Sequence, residues 1–557
     1  PAESMGIQAV QPFRALDTRT AVGGQNGNPI GPAQTISLPV LGLGGVPATG
    51  VDAIVAHIVA INPTGTSGYL TAFPSGYVRP LASSVNFKTG MVVSNDIIIP
   101  VGADGSISIY NYSGSTHAIV DIQGWIASPN LTTAGPSVAF DTTALTASDS
   151  QKAKQILTNT NRYAMTTWWN GPAQTLLTAT LGPGEESKIA NHDAVRRMGM
   201  EALALSTSLA TGSYDASATG VSAAIAKQRA IQLIDRVASN HVTNHLGGWG
   251  EHWQSAMWAG IAGRAAWYIW PDLPAATQAN VARMVAHEAN YAARLKIHYL
   301  RDAAGNLLTP GDSGAEEMSW DTNAMQLALV MLPNDPRSNV WMTEMVRFSL
   351  AAWARPQDVA SSQVVNGAAL SSWLKGSNVE ANGVVINHNR VASDYSTTTY
   401  SNLDAVPLFA LAGKQTPQAI TSLLAPVYAA FRGVTFAAPP YTAPGGQTYV
   451  SNSANIYYPE SIDWGTGQKL PYALADAQAA TFGYDPGTAT QYQALHADAQ
   501  LAMQARFTDG HTYASDAEYN YEGREEHTAQ LASQMYLTMY LRDHNLVSFT
   551  SASYWAQ

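Results

Sequence analysis

The chain has no cysteine. That excludes a disulfide-stapled scaffold, a thiolate zinc site and a cysteine nucleophile. Charge is scarce: 12% of the 557 residues are Asp, Glu, Lys or Arg, against roughly a quarter in an ordinary soluble domain. The balance is acidic, 29 Lys+Arg against 40 Asp+Glu, for a formal net charge of −11. A non-specific nucleic-acid binder would need a basic face, so nucleic acid is not expected as a partner. No apolar run is long enough to span a bilayer, and no membrane partner is expected either. No basic segment followed by an apolar one comes after Pro1, as in a processed or trimmed chain. No Gly-x-Gly-x-x-Gly joins a strand to a helix, and there is no Walker loop, so no cofactor is expected. No His-Glu-x-x-His occurs and Asp302–Asn306 lacks EF-hand spacing, so no metal is expected. A nucleophilic serine has no Gly-x-Ser-x-Gly elbow to carry it.

What is present argues for a large folded protein. The chain is 46% hydrophobic and 9% aromatic, which excludes disorder despite the low charge. Its length predicts roughly two to four domains with ample cores. Few lysines and many Thr, Ser, Asn, Gly and Ala residues point to a secreted, extracellular protein.

Composition changes near residue 130. Of 14 tryptophans, only Trp125 precedes that point. The first region is built of short apolar runs between turn residues: Ala53–Ala60, Gly68–Phe73, Asp96–Val101, Ser106–Tyr110 and His117–Ile122. Strand length, β-branching and spacing predict an all-β sandwich or barrel over residues 1–126. Residues 127–144 are polar with Pro and Gly and read as a linker. From Ser148 the period is helical. Ala226, Ala230, Leu233 and Val237 form one stripe, and Gln254–Trp270 is apolar almost throughout. Similar patterns cover Asn280–Leu295, Asp321–Met331, Asn339–Trp353, Gln418–Arg432, Ala489–Phe507 and Glu525–Leu541. About ten or more helices over residues 145–557 predict an all-α toroid with short β pieces, or two bundles.

Four stretches of the first region carry a resemblance: Arg14–Arg19 (RALDTR), Asn62–Pro74 (NPTGTSGYLTAFP), Arg79–Phe87 (RPLASSVNF) and Gly114–Trp125 (GSTHAIVDIQGW). Residues 12–126 resemble a β-domain of secreted actinobacterial proteins. The resemblance implies an accessory domain that binds carbohydrate or cell wall. Tyr69, Tyr110 and Trp125 are the sugar-stacking candidates, though aromatics in sandwiches are more often buried. Asn62, Arg79, Asn86 and His117 read as turn caps and satisfied polar groups.

Candidate chemistry lies in the helical region. Asn387-His388-Asn389-Arg390 precedes Asp394-Tyr395 and Tyr400-Ser401-Asn402, which open an apolar stretch over Leu403–Ala412. A core would not gather so many polar groups, because each needs a partner when buried. A tyrosine can transfer protons when a cation such as Arg390 lowers its pKa, while Asn387 and His388 can hydrogen-bond a substrate carboxylate and its enolate. Those parts suit proton abstraction next to a carboxyl group followed by β-elimination. A second cluster, Glu316-Glu317 with Trp320, Asp321 and Asn323, begins a helix. There Glu317 is a general acid or base candidate, and Glu316 and Trp320 candidate substrate contacts; dipole-favoured capping competes with that role. Trp249, Glu251, Trp253 and Gln254 form a third cluster, suited to a saccharide. Tyr457, Tyr458, Asp463 and Trp464 form a fourth. Asn191 and His192, with Arg196 and Arg197, form a fifth. Tyr519–Glu526 reads as a solvated ion-pair face.

The stretch Asn387–Gly413, a His/Asn/Arg loop followed by a Tyr that opens an apolar helix, is similar to the α/α-toroid polysaccharide lyases, the alginate- and hyaluronate-lyase-like group. The resemblance implies a Tyr as proton-transfer residue: Tyr400 by its place before the helix, or Tyr395 by its closeness to Arg390. It also implies that Asn387 and His388 neutralise the uronate carboxylate. The Asn-Asn-His helix start of the alginate-lyase-like members is absent, and Glu316–Asn323 puts carboxylates in its place. Three readings follow. The first is a secreted lyase acting on an anionic, uronate-containing polysaccharide. The second is an inverting glycoside hydrolase with a Glu/Asp pair drawn from Glu251, Glu316, Glu317, Asp321, Asp394 and Asp463. The third is a non-enzymatic glycan-binding surface protein. The lyase needs a locally positive cleft, for which Arg390, Arg196, Arg197, Arg264 and Lys375 are the available cations.

Overall fold

The computed structural model describes residues 7–127 and 138–552, apart from 26, 49, 78, 103 and 183–188; of 189–193 it describes the backbone alone. Residues 128–137 of the expected linker therefore lie outside the described residues. The chain divides into two compact units. The first holds residues 1–133 with 240–249 and 334–336, and the second holds the remainder.

Eight strands build the first unit: β1 (Ile7–Asp17), β2 (Thr35–Pro39), β3 (Val51–Ile61), β4 (Ser67–Pro74), β5 (Val85–Lys88), β6 (Val92–Pro100), β7 (Ser106–Asn111) and β8 (His117–Ala127). They form two four-stranded antiparallel sheets, ordered β1-β8-β3-β6 and β2-β7-β4-β5. Period-two patterning explains the layering. Ile54, Ala56, Ile58 and Ala60 of β3 point inward and meet Leu70, Ile107 and Ile109 of the other sheet in one core. His57 faces outward and pairs across the strand with Asp96 at 2.7 Å. The five expected runs fall in β3, β4, β6, β7 and β8. Missed were β1, exposed over most of its length, and the short β2 and β5. His117 is a satisfied group, its Nδ1 2.9 Å from the Thr18 hydroxyl. Tyr110 is buried beneath the Arg79 guanidinium, 3.6 Å above its ring, and Trp125 packs against the core. Tyr69 instead stacks on exposed Tyr112 at 4.7 Å.

The second unit is helical: α1 (Ser148–Tyr163), α2 (Pro172–Thr178), α3 (Ile189–Ala210), α4 (Ala216–Thr219), α5 (Ala223–Ser239), α6 (Ser255–Tyr268), α7 (Ala275–Ala292), α8 (Ala315–Trp320) and α9 (Thr322–Met331). There follow α10 (Ser338–Trp353), α11 (Pro356–Val359), α12 (Leu370–Trp373), α13 (Thr399–Leu403), α14 (Ala405–Leu411), α15 (Leu424–Gly433), α16 (Leu470–Thr481), α17 (Ala489–Gln504) and α18 (Arg524–Asp543). α6 and α9 are buried on every side, as sequences almost wholly apolar or uncharged require, and α18 is buried from Glu525 to Leu541 although its first turn is charged. α5 buries the predicted stripe of Ala226, Ala230, Leu233 and Val237. α3 packs on α6, α6 on α9, α16 on α18 and α18 on α3, while α1, α5, α7, α10 and α17 lie against these. α6 and α9 approach closely because Gly263 has no side chain: a Cβ there would lie 2.4 Å from Leu327 Cδ2. Arg264, expected as a cleft cation, is instead buried in an ion pair with Asp404, which also accepts from Gln534 Nε2 at 2.7 Å. The Arg264 side chain is only 2% exposed.

Candidate functional site

The loop Asn387–Arg390 is a two-residue hairpin turn between Ile386–Asn387 and Arg390–Val391. Both turn residues have positive φ, His388 at 50° and Asn389 at 59°. Asn and His enter this region more readily than most side chains, at some cost in strain. Asn389 N–H donates to the Gly311 carbonyl at 2.9 Å, which docks the turn on the segment before α8. Asn387 is buried, and its Oδ1 accepts the His388 N–H at 2.8 Å. That bond ties the Asn387 side chain to the turn.

His388 is held from both sides. Its Nδ1–H donates to Asp463 Oδ2 at 2.6 Å, and Asp463 Oδ1 accepts from Arg390 Nη1 at 2.8 Å. Asp463 as acceptor leaves Nε2 with a lone pair, and that lone pair faces the Tyr395 hydroxyl at 3.3 Å. The same hydroxyl accepts from Trp464 Nε1 at 3.2 Å. Tyr395 is nearly buried in the single-turn helix Tyr395–Thr397, whereas the His388 side chain is 44% exposed. The row Asp463–His388–Tyr395 thus runs from the rim inward.

Carboxyl groups surround this row. Glu316 and Glu317 stand in the first turn of α8, and Asp394 precedes Tyr395. Burial pushes the Glu317 carboxyl up to about 7, with Asp312 adding to the effect and His388 opposing it. Burial raises Asp394 to about 6, helped by Asp463. Glu316 is raised well above the ordinary range by burial and by Glu317, while Arg196 opposes. Burial also raises Tyr395, and Glu316 adds to it. Glu317 Oε2 and Asp394 Oδ1 are buried without a hydrogen-bond partner.

Beside this lies a second hydroxyl cluster. His527, in the first turn of α18, bridges the Tyr400 hydroxyl at 3.2 Å and the Tyr519 hydroxyl at 2.9 Å. Burial, with Arg196 adding to it, lowers His527 to about 3, so the imidazole is neutral. Arg196 of α3 sits 5.0 Å above the Tyr521 ring. Tyr521 meets Trp464 edge-on at 6.5 Å. Burial raises the Tyr400 phenol, and Arg196 offsets part of that rise.

No known protein-family model matches this chain, and no curated protein matches it.

The structure therefore brings together Tyr395, Tyr400, His388, Arg390, Glu316, Glu317, Trp464 and Arg196, residues from four of the sequence clusters. Others it separates or buries. Trp249 is 2% exposed and belongs to the first unit, edge-on to His241, so it offers no platform. Trp320 is also buried, with Trp253 edge-on at 5.3 Å and 46% exposed. Glu251 pairs with His287 at 3.0 Å, and half-buried Gln254 precedes α6 without capping it. Tyr457 donates to the Thr442 carbonyl, and Tyr458 lies in an aromatic core with Tyr449 and Tyr472, so both serve packing. Asn191 and His192 fall in the first turn of α3, but their side chains lie outside the described residues. Glu525 and Glu526 are buried, not solvated. Glu526 accepts from Trp168 Nε1 and Arg197 Nε, each at 2.7 Å, because α18 is enclosed by its neighbours. Sequence reading missed His527 altogether. It placed Asp463 in the fourth cluster and among the six hydrolase candidates, but not with His388. Neither has a local pattern that marks it.

Proposed function

We propose that this protein is a secreted polysaccharide lyase that cleaves a uronate-containing glycan by β-elimination. The observation that carries the reading is the hydrogen-bonded row Asp463–His388–Tyr395 ending beside an exposed tryptophan. Asp463 holds the His388 tautomer whose Nε2 takes the Tyr395 proton, the logic of a base oriented by a carboxylate. The Tyr395 phenolate takes the proton from C5 of the uronate. The C5–H electrons form the C4=C5 double bond, the C4–O bond breaks, and Tyr395 returns the proton to the leaving oxygen. No water is consumed. Tyr400, held by His527 and next to Arg196, supplies a hydroxyl donor to the same sugar. Trp464 and Trp253, both partly exposed, provide stacking faces along the chain.

The neighbour relations support an α/α toroid for the helical unit. α3, α6, α9, α14, α13, α16 and α18 follow one another by contact and return to α3. This agrees with the resemblance to toroid lyases. The stacked, partly exposed Tyr69–Tyr112 pair supports a glycan-holding role for the β-domain.

A hydrolytic reading has its own support. Glu317 and Asp394 are proton-holding carboxyls around the same tyrosine, as a general acid must be. Ultraviolet absorbance during digestion of uronate-containing polysaccharides separates the two. A rising band of the conjugated double bond, absent in Tyr395→Phe, is the expected result. New reducing ends without that band would assign the chemistry to the carboxyl pair.

A further inference from the structure

The loop that carries Asp463 and Trp464 continues into Gly465-Thr466-Gly467. A close approach requires both glycines. Gly465 has φ +90°, and a Cβ there would lie 2.8 Å from the Glu518 carbonyl group; at Gly467 it would lie 2.7 Å from Glu518 Cβ. The two segments meet in a backbone seam. Thr466 N–H donates to the Ala517 carbonyl at 3.3 Å, Gly467 N–H to that of Glu518 at 2.9 Å, and Asn520 N–H to that of Trp464 at 3.1 Å. Asn520 adds a side-chain bond, its Nδ2 donating to the Asp463 carbonyl at 2.7 Å. One exposed residue thus grips the main chain of Asp463 and Trp464, the two residues that hold His388 and Tyr395.

The same segment brings Tyr519 to His527 and Tyr521 to Trp464. Its own shape is fixed outside the site. Glu518 accepts from Arg506 Nη1 and Nη2 at 2.5 and 2.8 Å, and from the Ala514 N–H at 2.8 Å. Arg506 also donates to the Thr512 carbonyl, and Arg524 to the Tyr519 carbonyl at 2.8 Å. The Arg506 and Glu518 side chains are 36% and 26% exposed. A pair so open to water adds little to global stability. Its two parallel bonds fix geometry instead, tying residues 512–518 to the chain just beyond α17.

We propose that residues 514–521 form a strap that sets the position of Asp463 against His388, with Asn520 as its positioning residue and the Arg506–Glu518 pair as its anchor. The effect on turnover rests on the elimination reading of the site. Asn520 touches neither His388 nor Tyr395. It acts through the Asp463 main chain, where a shift of about 1 Å would break the bond from His388 Nδ1 to Asp463 Oδ2.

Two measurements test the strap. Hydrogen exchange needs no substrate. Glu518→Ala is expected to speed exchange of the Thr466, Gly467 and Asn520 amides at least about tenfold, while α18 keeps its protection. Unchanged exchange overturns the inference. The second measurement is the steady-state rate of unsaturated product. Asn520→Ala is expected to lose about tenfold in kcat, with KM within about twofold and the melting temperature unchanged. In an Asp463→Ala background the same substitution is expected to cost less than about twofold, because no carboxylate is left to aim. Equal losses in the two backgrounds, or a loss confined to KM, overturn the positioning role. If Asn520→Ala is destabilised, Asn520→Asp decides: it keeps the shape but has no side-chain N–H to donate, and an unaltered kcat overturns the role. Faster exchange in Glu518→Ala, with no unsaturated product from wild-type protein on any uronate-containing polysaccharide, supports the strap and overturns the elimination reading alone.

Discussion

His388 Nδ1 lies 2.6 Å from Asp463 Oδ2, although 75 residues separate them in the chain. The contact aims Nε2 at Tyr395 and keeps the hairpin turn in register with the loop that carries Trp464. Asp463→Asn keeps the shape but can hold the opposite tautomer. Turnover is expected to fall by roughly 10²–10⁴-fold with KM little changed. Steady-state kinetics on the cleaved glycan checks this, and unchanged turnover would remove His388 from the mechanism.

The two tyrosines separate by substitution. Tyr395→Phe deletes the hydroxyl that His388 faces and is expected to lower turnover by about 10³-fold. Tyr400→Phe leaves that row intact and removes one of the two hydroxyl partners of His527 and one donor to the sugar, so the expected loss is about tenfold. The reverse order would make Tyr400 the proton-transfer residue.

Gly311 takes φ +73°, and a Cβ there would sit 2.0 Å from Asn389 Oδ1 and 3.0 Å from Asn389 Cα. Gly311→Ala is therefore expected to push the His388 turn away from Asp463. Left-handed strain of roughly 1–3 kcal/mol adds to the displacement. Activity should drop more than the melting temperature does, since the turn is at the rim. Equal kinetics in the alanine variant would show that the turn does not need its dock.

Glu201 is fully buried, and neither carboxylate oxygen has a hydrogen-bond partner. Burial raises its pKa well above 4.5, and Glu526 and Glu525 add to the rise. A raised folded-state pKa contributes stability that is complete below the unfolded value and is lost as pH climbs through the folded one. Glu525, lifted by burial to about 7, acts in the same direction. Thermal stability is thus expected to decline from about pH 5 to about pH 8. Glu201→Gln has no proton to lose, so it should match wild type at the acidic end and exceed it at the basic end. Melting curves across that range test the sign; a gap that narrows with rising pH would contradict it.

Local pattern carried most of the secondary structure. The inward residues of β3 and the buried stripe of α5 stand where period two and period 3.6 place them. Burial on one face is a near-neighbour property of the chain. Boundaries slipped where the local signal is weak, as at β1, whose exposed residues show little alternation, and at α7, which starts at Ala275 rather than Asn280. The polar run Asn387–Arg390 was legible as unusual because no core tolerates such density. The split of its roles was not. Asn387 locks the turn, His388 faces Tyr395 and Arg390 holds Asp463. Glu525 and Glu526 looked solvated because sequence shows charge but not the helices that enclose α18.

The amino-acid order alone determined that a β-region precedes a helical one, where five of the β-domain strands and eight of the helices lie, and that residues 387–402 are chemically exceptional. Each of these depends on residues within a turn or two of one another. Folding settled which distant groups meet: Asp463 with His388, His527 with Tyr400, Arg196 with Tyr521. It also settled which aromatics are faces and which are filling, leaving Trp464 and Trp253 partly open and enclosing Trp249 and Trp320. Such contacts join segments tens to hundreds of residues apart. Their partners are chosen by how the helices pack, so no local spacing encodes them.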